Sequence, residues 1–112
     1  MYMNSVLKND VPDKVFSMIG LATKAGKTFS GEFSVEKAVK ERKAKLVIVS
    51  EDASDNTKKL FTNKCDFYKI PVFVCGSRSQ LGKVTGNQER ASIAISDEGF
   101  SKSIINILTE NN

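Results

Sequence analysis

The chain has 112 residues, 40% of them hydrophobic and 27% charged, which suits one compact domain and excludes a long disordered tail. There is room for one sheet with helices, but not for a cofactor domain beside a substrate domain. The opening "MYMNSVLKND" lacks the apolar run of a signal peptide, and no later stretch approaches a membrane span. We therefore expect a cytoplasmic protein without a membrane partner, built as one domain over residues 1–112 with an ordered core of about residues 11–108.

The segment "VPDKVFSMIGLATKAG" predicts a first helix. Its apolar residues at helical spacing are Val15, Met18, Ile19 and Ala22. Asp10 is a candidate N-cap with Pro12 in the first turn, while Lys24 and Gly26 fit the end of the helix.

A short extended piece, "KTFS", precedes a second predicted helix, "GEFSVEKAVKERK". Its inward face is expected to carry Val35, Ala38 and Val39, and Ser30 is a plausible N-cap. The run "LVIVS" that follows is typical of a central strand buried on both faces.

A third helix is predicted in "SEDASDNTKKLFTNKCDFYK", with Asp52 or Ser54 as its N-cap. The apolar stripe of this helix is formed by Leu60, Phe61, Cys65 and Tyr68. A strand, "PVFVCG", and a short helix, "SRSQLGKVTG", closed by Gly86, come next.

The chain finishes with a strand, "ASIAIS", and a last helix, "DEGFSKSIINILTE", capped by Asp97. The inward residues of this helix are expected to be Phe100, Ile104, Ile107 and Leu108. The alternation of strands and helices predicts an α/β fold, a three-layer α/β/α sandwich with a mixed sheet of about four strands.

Residue types that carry catalysis are scarce. The chain has no histidine, so no serine near a strand end has an evident base, and Cys65 and Cys75 lack the spacing of a zinc site. Both cysteines lie in apolar surroundings and are interpreted as buried, reduced core residues. The tripeptide at residues 26–28 ends like a P-loop, but Leu21 stands where the upstream glycine is needed. We expect no enzyme, no cofactor and no metal.

Basic residues are concentrated in residues 24–45. This segment holds seven basic and three acidic side chains, a net +4, whereas the rest of the chain holds ten of each sign. Such a local excess is typical of a nucleic-acid binder, and the alternative is a solvated helix face.

Three segments, residues 28–37, 50–54 and 81–90, are expected to meet at one end of the sheet. There the helix that begins near Gly31 directs its free N–H groups at an anion, and Lys37 adds a mobile cation. The turn "LGKVTGNQER" brings Arg90. This edge could hold a phosphate backbone and read bases in a distorted RNA.

The motifs "GLATKAGK", "LVIVSEDAS" and "LGKVTG", in this order, resemble the ribosomal-protein superfamily that binds kink-turn RNA, of the large-subunit "L seven Ae" and "L thirty e" type. The likeness is strongest to small bacterial members of the YlxQ type and covers about residues 11–108. It implies the α/β/α sandwich and a non-catalytic, monomeric protein that binds RNA in or beside the ribosome. Its RNA is then ribosomal RNA or a structured leader RNA.

The resemblance also indicates which residues meet RNA. In strong kink-turn binders a glycine and a lysine frame an asparagine and a glutamate that bond the sheared G·A pairs; Gly31 and Lys37 match the frame. Phe33 and Ser34 stand where the asparagine and glutamate are expected, and losing one such base contact costs roughly 1–3 kcal/mol. Phe33 either stacks on a base or packs against the first helix.

The flipped-base pocket of the family corresponds here to Ser54, Asn87 and Glu89, with Arg90 adjacent. The candidate RNA-binding residues are Lys27, Gly31, Glu32, Phe33, Ser34, Lys37, Ser54, Gly86, Asn87 and Arg90. The alternative hypothesis is a protein-interaction module that kept the fold and uses Phe33 as an exposed apolar patch.

Overall fold

The computed structural model describes the backbone of residues 4–7 and the whole of residues 11–110. Its elements in chain order are β1 (Asn4–Leu7), α1 (Asp13–Lys24), β2 (Thr28–Ser30), α2 (Glu32–Lys40), β3 (Leu46–Val49), α3 (Asp55–Tyr68), β4 (Val72–Cys75), α4 (Arg78–Val84), β5 (Ser92–Ile95) and α5 (Glu98–Glu110). This order agrees with the helices and strands that hydrophobic spacing predicts, with β1 added in front.

Within the described residues the sheet is mixed and has five strands, in the order β1-β4-β3-β5-β2. β1, β4 and β3 run parallel to one another, whereas β5 runs antiparallel to β3 and to β2. The four predicted strands form its continuous part, and β1 is a fifth at the edge. The sequence of β1, NSVL, holds no long β-branched run, and its pairing of Asn4 with Val72 is long-range. The sequence around residues 4–7 therefore gives no local signal that predicts a strand.

Helices cover both faces of the sheet, which confirms the predicted three-layer sandwich. One core lies beneath α1, α4 and α5, and the other beneath α2 and α3. Along β3, Leu46 and Ile48 belong to the first core, whereas Val47 and Val49 belong to the second. Burial on both faces explains why this strand is an uninterrupted apolar run.

The predicted inward faces of the helices are confirmed. The fully buried members are Val15, Ile19, Ala22, Val35, Ala38, Val39, Phe61, Cys65, Ile104 and Leu108. The members at the margins of the cores are partly buried and are Met18, Leu60, Tyr68, Phe100 and Ile107.

The structure corrects part of the predicted capping. Ser30 is not the N-cap of α2; it ends β2, and Gly31 occupies the cap position without a side-chain hydrogen bond. Ser54 caps α3 by accepting from the N–H of Thr57, and Asp97 caps α5. Pro12 is the N-cap of α1 and not a first-turn residue, and the predicted cap Asp10 lies outside the described residues.

Cys65 and Cys75 are free, buried thiols, as predicted. Burial in the apolar cores raises the pKa of each from 9.0 to about 12, with the charge of Glu51 adding to the effect at Cys75. Within residues 11–110, no group of three His, Cys, Asp or Glu side chains is placed to hold a metal ion. Across the described helices, none is both long and apolar enough to traverse a bilayer.

Candidate functional site

Three chain segments meet at one end of the sheet. Gly31, after β2, donates its N–H to the carbonyl of Ser92 at 3.0 Å, and Ser50, after β3, donates to the carbonyl of Ala91 at 2.9 Å. The N–H of Arg90 in turn donates to the carbonyl of Arg78 at 3.0 Å. Backbone hydrogen bonds therefore fix the start of α2 beside the segment that leads into β5.

The hydroxyl of Ser30 joins these segments through side chains. It accepts from the amide Nδ2 of Asn87 at 3.2 Å and from Nε of Arg90 at 3.4 Å. The same amide of Asn87 donates to the carbonyl and hydroxyl oxygens of Thr85, each at 3.1 Å. Sequence reasoning missed this role of Ser30, because its partners lie far away along the chain.

The guanidinium of Arg90 is held in place without a carboxylate partner. Besides Ser30, it donates from Nη1 to the carbonyl of Glu89 at 2.7 Å and from Nη2 to Oδ1 of Asn87 at 3.0 Å. No acidic side chain of the described residues forms an ion pair with it. Its full positive charge is therefore positioned in advance and available to a ligand.

The first turn of α2 presents free N–H groups. Gly31 has φ +92°, a left-handed conformation that favours glycine. Because no side chain in the described residues caps this helix, the N–H groups of its first turn are open to an anionic or carbonyl ligand.

Phe33 projects from this turn into solvent. Its side chain is 80% exposed, so the expectation that it packs against α1 is wrong. An aromatic ring so exposed contributes little to the core. It is free to contact a ligand.

A shallow cleft of about 430 Å³ lies between α2 and the segment before β5. We call it the α2 cleft; it is lined by Ser30, Gly31, Glu32, Phe33, Ser34, Glu89, Arg90 and Ala91. Its charged groups are two carboxylates, Glu32 and Glu89, and one guanidinium, Arg90. The cleft thus offers hydrogen-bond acceptors as well as one cation, which suits a ligand that carries N–H donors beside negative charge.

Lys37 follows Phe33 by one helical turn, and both line a neighbouring hollow on α2. Glu36 beside it is already engaged, with Lys40 at 3.6 Å and Lys64 at 3.5 Å. Lys37 forms no ion pair with any residue that the structure describes. It therefore offers a second free cation in the hollow next to the α2 cleft, on the other side of Phe33.

Three candidate residues stand apart from the α2 cleft. Lys27 precedes β2, and its carbonyl accepts from the N–H of Ser96 at 2.9 Å, at the far end of the sheet. Ser54 is exposed and serves as the cap of α3. Gly86 has φ +78° in the exposed turn after α4 and positions Asn87 rather than lining the cleft.

Gly82 also positions the site and was missed by sequence reasoning. A Cβ atom at this buried position would lie 2.5 Å from the carbonyl oxygen of Gln88 and 2.7 Å from Cα of Glu89. Only glycine lets the backbone of residues 88–89 pack directly on α4. The signal was present in "LGKVTG", where a glycine interrupts a helical segment.

Asp52 connects the loop after β3 to the start of α4. Its Oδ1 accepts from the N–H of Arg78 at 3.0 Å, and its Oδ2 lies 3.8 Å from Nε of the same arginine. Desolvation opposes its ionisation, but the Ser50 hydroxyl together with the N–H and charge of Arg78 lowers the pKa of Asp52 below its ordinary value. Asp52 therefore stabilises α4 and not α3.

Comparison with known proteins gives consistent results. The model of the Ribosomal protein L7Ae/L30e/S12e/Gadd45 family matches residues 13–105. The RNA-binding protein YlxQ of Bacillus subtilis (strain 168) is 43% identical over 93 residues, which cover 83% of this chain and 93% of that protein. The RNA-binding protein YlxQ of Enterococcus faecium is 38% identical over 89 residues, covering 80% and 85% respectively.

Solved structures with the same fold include near and distant relatives. A protein with unknown function from Bacillus halodurans C superposes with a TM-score of 0.84 at 41% identity, covering 88% of this chain and 99% of that one. The Giardia lamblia 15.5kD RNA binding protein superposes with a TM-score of 0.79, covering 94% and 90%. At 17% identity this second likeness concerns the fold alone.

Proposed function

Since this chain belongs to the ribosomal protein L7Ae/L30e/S12e/Gadd45 family, we propose that it is an RNA-binding protein and that structured RNA docks at the α2 cleft. Both curated relatives named above are called RNA-binding proteins. The observation that carries the proposal is the exposed ring of Phe33 beside the preset guanidinium of Arg90. Stacking on the ring and pairing with the guanidinium are the two interactions that unpaired bases and phosphates need.

The charges in the cleft indicate how RNA is read. The N–H groups at the start of α2, together with Arg90 and Lys37, meet phosphate oxygens. The carboxylates of Glu32 and Glu89 would repel a phosphate, but they accept hydrogen bonds from the amino groups of bases. We therefore expect the α2 cleft to contact base edges through its carboxylates and phosphates through its N–H groups and cations.

The RNA we propose is kink-turn-like or otherwise distorted, and it is ribosomal RNA or a structured leader RNA. Gly31 and Lys37 keep the frame of the kink-turn motif, whereas Phe33 and Ser34 replace its two base-reading side chains. Stacking by Phe33 takes the place of a directional hydrogen bond, which broadens the range of accepted RNA. We propose that the protein acts as a monomer on the ribosome in the cytoplasm, without catalysis.

A protein-interaction module is the second candidate, because the exposure of Phe33 also suits an apolar protein contact. The two candidates differ in salt response. RNA contacts release counterions, so affinity falls steeply with salt, whereas an apolar protein contact barely changes.

The test is a titration of the protein with a kink-turn duplex and a straight duplex of equal length, at two salt concentrations. We expect tighter binding to the kinked RNA and a marked loss of affinity at high salt. Equal affinity for the two duplexes removes kink-turn specificity, and a flat salt response removes phosphate contact altogether.

Two variants locate the binding surface. Phe33→Ala and Lys37→Ala should each weaken binding, with Leu21→Ala and Lys14→Ala as matched controls on the exposed face of α1. If the α1 variants weaken binding as much as the α2 variants do, the α2 cleft is not the site.

A further inference from the structure

The C-terminal end of α3 carries a second exposed aromatic group. Phe67 is 73% exposed, and its ring centroid lies 4.9 Å from that of Tyr68, with the two planes at 77°. Pro71 follows shortly after and pairs with the first residues of β3 through its carbonyl. The aromatic pair is therefore at the end of the sheet opposite to the α2 cleft, which lies beyond the last residues of β3.

Two hollows flank this aromatic pair, and Tyr68 lines both. One, of about 460 Å³, is lined by Leu60, Asn63, Lys64, Phe67 and Tyr68. The other, of about 470 Å³, includes four cations and one carboxylate, namely Arg42, Lys45, Lys69, Lys102 and Glu98. We call the surface formed by Arg42, Lys45, Lys64, Phe67, Tyr68 and Lys69 the α3-end surface.

Three cations of the α3-end surface have no acidic partner. Lys64 is paired with Glu36, but Arg42, Lys45 and Lys69 form no ion pair with any residue in the described part of the chain. The net excess of free positive charge around the exposed ring of Phe67 is complementary to a strand of phosphates and bases.

Two of these cations occupy backbone positions that favour glycine. Arg42 and Lys69 have φ of +59° and +60° and each follows the end of a helix. At such a position glycine is preferred, since other residues are strained there. The N–H of Lys43 bonds the carbonyl of Ala38, and that of Ile70 bonds the carbonyl of Cys65, the pattern of helix ends that usually carries glycine.

The side-chain contacts of Arg42 give one structural reason for its presence at this position. Its Nη1 donates to the carbonyl of Tyr68 at 3.4 Å, and its guanidinium carbon lies 5.2 Å from the centroid of the Tyr68 ring. Arg42 thus joins the ends of α2 and α3 and orients Tyr68. The backbone of Lys69 ends α3 in the left-handed conformation, which lets the N–H of Ile70 reach the carbonyl of Cys65 at 2.9 Å. Its side chain forms no ion pair among the described residues and lies in the hollow beside Tyr68.

We propose that the α3-end surface binds an unpaired RNA strand. A base stacks on the exposed ring of Phe67, which Tyr68 supports from the side, and the phosphates meet Lys45 and Lys69. Stacking accepts any base, so this surface adds affinity for single-stranded RNA without reading its sequence. The proposal goes beyond the α2 cleft, because the two surfaces lie at opposite ends of the sheet and could engage two segments of one RNA.

The test is a binding titration of a short fluorescein-labelled oligouridine, followed by anisotropy at two salt concentrations. Phe67→Ala should weaken binding about 5- to 100-fold, the effect of losing one stacked base. Lys69→Gly should lower the slope of log affinity against log salt by about 0.7, one phosphate contact. Because glycine also relieves the strained backbone at this position, the melting temperature of the Lys69→Gly variant should not fall.

Controls separate this surface from the rest of the molecule. Lys59→Ala removes one exposed cation from α3 without touching either hollow, and it should leave oligouridine binding unchanged. Inorganic polyphosphate, which offers charge without bases, should compete less well than unlabelled oligouridine.

The outcomes distinguish this inference from the proposed function. If Phe67→Ala and Lys69→Gly bind oligouridine as the parent does, the inference is overturned. It is equally overturned if sedimentation shows a dimer that Phe67→Ala dissociates, or if polyphosphate competes as well as RNA. If kink-turn RNA fails to bind while oligouridine binding still depends on Phe67, the proposed function fails and the inference stands.

Discussion

The side-chain amide of Asn87 donates to the hydroxyl of Ser30 at 3.2 Å, although 57 positions separate the two residues. This bond joins the turn after α4 to the last residue of β2. Since Asn87 also accepts from Nη2 of Arg90 at 3.0 Å, one amide side chain sets both the width of the α2 cleft and the direction of its cation. The geometry of the site thus depends on a residue that does not line it.

Substitution of Asn87 should reduce RNA affinity by releasing Arg90. Asn87→Ala removes the donor to Ser30 and the acceptor for Arg90. Because these hydrogen bonds are partly exposed, we expect the free energy of unfolding to fall by about 1–3 kcal/mol. A freely rotating guanidinium loses more conformational entropy on binding, so the affinity for RNA should fall although the charge is kept.

Asn87→Asp is the matched control for this prediction. Its carboxylate still accepts from Arg90 but neutralises the guanidinium, so the salt dependence of RNA binding should become shallower. Urea unfolding and RNA titration of both variants provide the measurements. If both variants bind RNA as the parent does, the argument that Asn87 positions Arg90 is wrong.

Local patterns in the sequence predict the layers of the fold well, because burial repeats with the period of each element. The apolar run at residues 46–49 and the stripe that includes Ile104 and Leu108 both give the correct faces. Long-range polar contacts leave no such period. The local pattern therefore predicts a helix cap at Ser30, whereas its hydroxyl accepts from Asn87 across the fold.

The same limit applies to Asp52, which has the residue type and position of a cap for α3. The structure directs it to the N–H of Arg78, 26 positions away. The sequence also leaves two alternatives for the ring of Phe33, exposure to solvent or packing against α1. The amphipathic pattern places it beside the polar face of α2, but only the packing of α1 decides whether the ring is covered.

Gly82→Ala should destabilise the fold and open the α2 cleft. The added Cβ would lie 2.5 Å from the carbonyl oxygen of Gln88. Because the Cβ is fixed to the backbone of α4 and the oxygen is itself a backbone atom, residues 88–89 must move. Forced overpacking of this kind costs about 1–3 kcal/mol. Thermal unfolding should show the loss, and RNA titration should show weaker binding because Arg90 moves with this segment.

Gly20→Ala gives the opposite expectation and serves as the control. Gly20 lies inside α1, and a Cβ there would meet no atom closer than the carbonyl oxygen of Val84 at 3.9 Å. Alanine in a helix interior is favoured over glycine by about 0.5–1 kcal/mol, so this variant should melt at a higher temperature. A loss of stability at both positions would show that space at Gly82 is not the deciding factor.

The two thiols should be unreactive until the protein unfolds. Burial raises the pKa of Cys65 and Cys75 from 9.0 to about 12, so thiolate is scarce in the folded state and the sulfur atoms are inaccessible. The folded state therefore binds these protons more tightly than the unfolded state. Their contribution to stability is complete below pH 9.0 and is lost as the pH rises from 9.0 towards about 12.

Labelling with a chromogenic disulfide reagent at neutral pH measures this directly. We expect no thiol to react in buffer and both to react in denaturant. Urea unfolding at increasing alkaline pH should show a falling free energy of unfolding, and a Cys65→Ser, Cys75→Ser variant should lose that part of the slope. Fast labelling of the native protein would contradict the buried placement of both side chains.

Restoring the two base-reading side chains should sharpen the choice of RNA. In the double variant Phe33→Asn with Ser34→Glu, the frame residues Gly31 and Lys37 are unchanged, and both new side chains start from a partly or fully exposed position on α2. Stability should change by no more than about 0.5 kcal/mol, since no core contact is lost. Each recovered base contact contributes roughly 1–3 kcal/mol, so kink-turn affinity should rise about 5-fold or more.

Affinity for a straight duplex should stay the same or fall, because the stacking ring is gone. Titration of parent and variant with both duplexes measures the ratio, and an unchanged ratio would show that α2 does not face the bases of the kink-turn.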